Sequence, residues 1–169
     1  MDDPDPAQRI FVSYIDKSRE YYLAQGFGNP YRWAYNVDVP FAHLSRPLRE
    51  SRIGLVTTAT LLDGDDDPAP EDLPPGTVYG APMEPPPARL YTQNRFWDKE
   101  ATHTNDLDSF FPVHHLLDLR DEGRIGSLSA RFYGVPTEYS QRRTTEADAP
   151  EILRFCREDG VDAALLVAL

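Results

Sequence analysis

The sequence predicts an α/β protein built on an open, mostly parallel, Rossmann-like sheet that is incomplete at its carboxyl end. Three stretches carry this prediction. "RIGLVTTATLL" holds Ile53 to Thr58, apolar and β-branched without alternation, the pattern of a strand covered on both faces. "SLSARFYG" alternates Leu128, Ala130 and Phe132, the period of a half-buried strand. "DAPEILRFCREDGVDAALLVAL" joins an amphipathic helix, through Gly160, to an unbroken apolar run from Ala163 to Leu169. A run of that kind reads as a fully buried parallel strand, and a helix feeding it is half of a βαβ unit whose next helix is missing.

The elements follow in chain order. "DPAQRIFVSYIDKSREYYLAQG" is expected to be a helix with Asp5 as cap, Pro6 in the first position and Gln8 at the capping-box place. Phe11, Tyr14, Ile15, Ser18 and Tyr22 make one stripe on it, and Gly26 and Gly28 end it. An aromatic-rich connector with a short helix near Pro47 leads to the first strand. From about 62 to 88 the chain is acidic and holds half of its 16 prolines. Proline removes donors and like charges repel, so an exposed insertion is expected, with short strands at Thr77–Tyr79 and Arg89–Thr92. "DGDDD" within it lacks the spacing and the bidentate glutamate of a calcium loop, which favours a solvated loop. A helix then begins near Pro112 with Val113, Leu116 and Leu117 on one face, and Gly123 closes it. The last helix has Asp148 as its cap, Pro150 in its first turn, and Ile152, Leu153, Phe155 and Cys156 on its apolar face. One domain over residues 1–169, the amino-terminal part of a longer one, accommodates all of these.

Composition restricts function. The net charge is -11, with 17 Lys and Arg against 28 Asp and Glu, which disfavours nucleic acid and anionic membrane surfaces as partners. The single cysteine, Cys156, excludes an internal disulfide and a cysteine zinc cluster. The amino terminus lacks the basic start and long apolar core of a signal peptide, and no stretch nears the roughly 18 apolar residues of a membrane span, so a cytoplasmic location is expected.

Few residues carry chemistry. "THTNDLDSFFP" brings His103, Asn105, Asp106 and Asp108 together just before a helix. These types suit an acid–base group or a partial metal site; the alternative is that Asp106 or Asp108 caps the helix and His103 sits in a loop. His114 and His115 are adjacent and point about 100° apart on a helix, so they do not readily share a metal. His43, near Arg46, suits either an anion or substrate contact or a packed loop. Thr57 and Thr58 sit at the carboxyl end of the first strand, where ligands bind in open α/β sheets. Cys156, on an apolar helix face, reads as an inert core residue. "GFGNPY" fails as a dinucleotide fingerprint, lacking a third glycine and a preceding strand.

Three stretches together resemble the selenoprotein B subunits of the glycine, sarcosine, betaine and D-proline reductases: "NPYRWAYNVDVPFAHLSRPLRESRIGLVTTATLL", "HTNDLDSFFPVHHLLDLRDEGRIGSLSARFYG" and "FCREDGVDAALLVAL". Thr60 departs from the glycine frequent there, and the acidic insertion is long. In that family the strand equivalent to "DGVDAALLVAL" runs into a redox motif of selenocysteine or cysteine, two residues, and a second chalcogen residue. The resemblance implies that Leu169 precedes a selenocysteine codon, UGA, read as a stop, with no catalytic residue in the present chain. It implies an oxidoreductase that cleaves a C–N bond of a small amino acid or betaine. A pyruvoyl group on a partner subunit activates the substrate amine, the selenolate attacks the carbon bearing it, and a thioredoxin-type system returns the electrons. His103, Asp106, Asp108, Thr57, Thr58 and His43 are the expected substrate-side residues, with no metal. The competing expectations are a non-catalytic assembly module that docks its open sheet on a partner chain, and an enzyme using His103 and Asp106 as acid and base or as metal ligands.

Overall fold

The computed structural model describes residues 13–28, 34–61, 76–92, 102–135 and 140–169. The chain divides into two compact units, Met1–Val37 and Asp38–Leu169.

In the first unit α1 spans Tyr14–Ala24. Ser13 has extended backbone and its Oγ accepts the Asp16 N–H at 3.3 Å, which caps the helix ahead of Tyr14. A satisfied serine cap ends the competition for the first turn, and Asp16 lies in that turn, where a negative charge meets the helix dipole favourably. The expected cap at Asp5 and the residues up to 12 lie outside the described residues. At the far end Gly26 takes φ +87°, which only glycine adopts without strain, and the helix stops there as expected.

The second unit is a mixed α/β layer structure. Its sheet centres on β1 (Arg52–Thr57), buried from Ile53 onward. β5 (Ser127–Leu128) and β6 (Arg131–Gly134) both lie parallel along one side of β1, and β7 (Ala163–Val167) lies parallel along the other. β3 (Tyr79–Pro82) adds antiparallel to β6. The sheet is therefore mostly parallel with one antiparallel pair. A separate ladder joins β2 (Thr60–Leu61) to β4 (Leu90–Tyr91), so the two flanks of the insertion meet at its base. The strand expected at 77–79 lies a little further on, as β3. Residues 62–75, including "DGDDD", are outside the described residues.

Three expectations are corrected. "SLSARFYG" is not one alternating strand. The register with β1 moves from Ile53↔Leu128 to Val56↔Tyr133, so two extra residues are accommodated between β5 and β6. This bulge exposes Ala130 and buries Ser129, Phe132 and Tyr133, because Ser129 and Tyr133 have polar partners inside. Asp148 is not a cap. The helix begins with a short turn, α3 (Gln141–Arg143), capped by Ser140, passes through a π stretch (Thr144–Asp148) and continues as α4 (Ala149–Glu158). Pro150 has no N–H to give and its ring would crowd the Glu146 carbonyl, and the wider π turn just before it relieves both. Asp148 is instead buried and pairs with Arg143 Nε at 3.5 Å. Finally, β7 is not fully buried: Leu165 is 41% and Leu166 75% exposed. It is an edge strand, and among the described residues it pairs with β1 alone.

One core cluster fills the face beneath α2 (Val113–Asp121), with Ile53, Leu55, Phe111, Val113, Leu116, Leu128 and Phe132 in it and Val167 and Leu169 packed at its margin. Phe111 meets Phe132 edge-on, ring centres 4.9 Å apart. Each fully buried side chain of this size contributes about 1.5–3 kcal/mol of transfer free energy. A smaller cluster of Val56, Tyr133 and Cys156 lies under α4. The 3-10 turn Leu48–Glu50 fulfils the expectation near Pro47, and Gly123, at φ +71°, closes α2.

Candidate functional site at the carboxyl edge of the sheet

The carboxyl ends of β1, β6 and β7 fall together. β1 finishes at Thr57, level with Gly134 of β6 and Val167 of β7. Thr57 is buried; its Oγ1 accepts the Ala59 N–H at 3.1 Å and turns the chain out of the strand. Thr58 reaches across to the end of β7. Its Oγ1 accepts the Leu169 N–H at 2.9 Å and donates to the Leu169 carbonyl at 3.2 Å. One side chain thus holds both polar groups of one backbone residue, and Leu169 is fixed beside the loop that leaves β1.

β3 closes this edge from the far side of β6. Tyr79 pairs with Gly134 across the ladder, and its ring lies where a Gly134 side chain would be. Its hydroxyl donates to the Ala59 carbonyl at 2.7 Å, tying the loop after β1 to the far strand. Burial pushes the Tyr79 hydroxyl well above its ordinary pKa, so it stays protonated as a donor. Tyr79 was not singled out in the sequence; the only signal was an aromatic residue opposite a glycine, which is visible once register is known.

The other expected residues separate. Asp108 Oδ1 accepts the His114 N–H at 3.0 Å and Oδ2 meets the His114 Nδ1 at 2.7 Å, so Asp108 serves the start of α2. Asp106 precedes the 3-10 turn Leu107–Ser109, where its carbonyl accepts from Ser109 Oγ at 2.7 Å. His103 is exposed and its Nδ1 accepts the Asn105 N–H at 3.4 Å. These bonds are local, and the structure does not bring His103, Asp106 and Asp108 into one side-chain cluster. His43 is exposed with its ring against Phe41. Among the described residues no group of His, Cys, Asp and Glu could hold a metal ion.

At the opposite, amino end of the sheet lies a polar network the sequence reading missed. Tyr133 donates to Asp159 Oδ2 at 2.7 Å, Ser129 Oγ lies 2.8 Å from the Tyr133 hydroxyl, and Arg131 grips both Asp159 oxygens at 3.0 and 2.9 Å. Arg131, with help from Tyr133 and Ser129, holds the Asp159 carboxyl below the usual carboxylate range. Burial raises the Tyr133 hydroxyl. The network anchors the β5–β6 bulge to the end of α4, beside a cavity of about 490 Å³ lined by Arg52, Glu84, Ser129, Glu158 and Asp159. A second, apolar groove of about 410 Å³ runs between α4 and β7, lined by Ala149, Ile152, Leu153, Cys156, Ala164 and Leu166. Cys156 is buried and its thiol pushed up by that burial, which suits a packing role.

Among the described residues no helix is long and apolar enough to cross a membrane. Comparison with protein-family models, with curated proteins and with solved structures returns no match.

Proposed function

We propose that this chain forms the sheet of a selenol- or thiol-dependent reductase subunit of the glycine, betaine, sarcosine and D-proline reductase type, with a Rossmann-like crevice at the carboxyl edge. The observation that carries the reading is the double hydrogen bond from Thr58 to Leu169. It fixes the end of β7 beside the end of β1, in the region where open parallel sheets present ligands and reactive groups. A chalcogen residue following Leu169 would leave the sheet there. Thr57, Thr58 and Ala59 would form one wall and Tyr79 a second. Selenocysteine or cysteine at that place supplies the nucleophile. The pyruvoyl group belongs to a partner subunit, and a cytoplasmic thioredoxin-type system supplies the two electrons that C–N cleavage consumes. Asp106, Asp108, His103 and His43 would complete the substrate side.

The test is a longer protein that continues past Leu169 with cysteine at the next position, combined with the pyruvoyl-bearing partner and a dithiol. Release of ammonia from glycine, methylamine from sarcosine or trimethylamine from betaine, or ring opening of D-proline to 5-aminopentanoate, abolished when that cysteine becomes serine, is the expected result. Dithiol-independent turnover, or none on any of the four, would overturn the reading. A second reading, an assembly module, is favoured by the exposed Leu165 and Leu166 on the β7 edge. It predicts a stable complex with a partner chain and no turnover.

A further inference from the structure

We propose that Asp108 and His114 form an acid–base pair, in which the carboxylate fixes the imidazole and leaves Nε2 as the basic, nucleophilic nitrogen. The geometry is specific. Both Asp108 oxygens are spent on one residue: Oδ1 on the His114 backbone N–H at 3.0 Å and Oδ2 on its Nδ1 at 2.7 Å. A carboxylate can only accept, so the proton of the neutral ring sits on Nδ1 and the lone pair on Nε2. A carboxylate behind the ring leaves the distal nitrogen more electron-rich and stops the ring from turning.

The pair is also rigidly mounted. Leu107 is buried beside Asp108, and Phe111 and Val113 are fully buried just before His114. The Asp108 side chain is 23% exposed and that of His114 56%, so the carboxylate is partly shielded while the ring meets solvent. α2 passes to β5 through the turn at 122–126, and β5 starts level with the first residue of β1. The first turn of α2 therefore lies toward the carboxyl ends of the strands. Both residues lie in the present chain, and the pair works without the redox centre proposed above. An ion pair that only caps α2 would make the same bonds and leave Nε2 no more reactive than that of His115.

His115 supplies an internal control: it is adjacent, exposed, and on the same helix. The probe is diethyl pyrocarbonate in limiting amount, at about pH 8, where free imidazole is largely neutral. Nε2 attacks a carbonyl carbon, a C–N bond forms, the anhydride C–O bond breaks, and the ethyl carbonate released decomposes to ethanol and carbon dioxide. Per-residue rates on the whole chain are read by mass spectrometry. The expected rate at His114 is about three times that at His115 or more, following Brønsted behaviour. Asp108→Asn keeps an oxygen for the backbone N–H and removes the charge, and should bring the two rates together. Equal rates in the parent chain, or a ratio that survives Asp108→Asn, would overturn the proposal.

Discussion

Gly134→Ala tests the edge that Tyr79 builds. A Cβ on Gly134 would lie 1.9 Å from Cε1 and 2.0 Å from Cζ of Tyr79, whereas ordinary contacts begin near 3.4 Å. The ring must therefore retreat by about 1.5 Å. The Tyr79 hydroxyl is 2.7 Å from the Ala59 carbonyl, and a retreat of that size breaks the bond. Overpacking of this kind costs about 1–3 kcal/mol. The lost hydrogen bond adds about 1 kcal/mol. Replacing glycine within a strand returns about 0.5–1 kcal/mol. The net expectation, read by urea unfolding at unchanged m-value, is a loss of about 1–3 kcal/mol. The double variant Gly134→Ala with Tyr79→Ala should be less destabilised than the two single variants added together, because the clash is absent. A Gly134→Ala protein as stable as the parent, or strict additivity in the cycle, would refute the reasoning that Tyr79 occupies the space over Gly134.

Other perturbations test other parts. Thr58→Val removes both bonds to Leu169, at about 1 kcal/mol each, so hydrogen exchange of the Leu169 amide should quicken about tenfold or more, while Thr58→Ser stays near the parent; unchanged exchange would show that the clamp is not formed. Asp159 is held below the ordinary carboxylate range by Arg131 first and then by Tyr133 and Ser129, so the folded protein protonates it at lower pH than the unfolded chain does. Its contribution is fully present above about pH 4 and is lost as the pH falls through the depressed folded value. Asp159→Asn should therefore lower stability at neutral pH by about 1–3 kcal/mol and flatten the acid limb of the stability curve; an unchanged acid limb would contradict the assignment. The exposed apolar edge of β7 should make the parent chain self-associate in sedimentation measurements, and Leu166→Lys, at a position 75% exposed, should reduce this; a monomeric parent, or equal association of both proteins, would remove β7 as a contact.

Much of the fold was legible because it rests on burial. Ile53 to Thr58 read as a two-face-buried strand, and β1, Arg52–Thr57, lies at the centre of its sheet. Gly26 and Gly123 marked helix ends because positive φ selects glycine. What escaped depended on contacts distant in sequence. Asp159 and Tyr133 meet across 26 residues, and that meeting pulls Ser129 inward and breaks the alternation of "SLSARFYG". Ala163 to Leu169 read as buried on both faces, because apolarity reports affinity for a core and not the presence of a neighbour; among the described residues β7 has one on one side only. At the candidate site Thr57 and Thr58 were identifiable as the end of a strand, whereas Tyr79 was not, since its role depends on the β3–β6 register. Asp108 was singled out for its chemistry, and its partner is His114, a pairing set by the turn of backbone between them.

The most direct measurement is dithiol-dependent C–N cleavage by the protein extended past Leu169 with a cysteine and combined with the pyruvoyl-bearing partner. The account predicts turnover of glycine, sarcosine, betaine or D-proline that falls when Thr58→Val releases the end of β7. Turnover without a dithiol, or none on any of the four, would contradict the account.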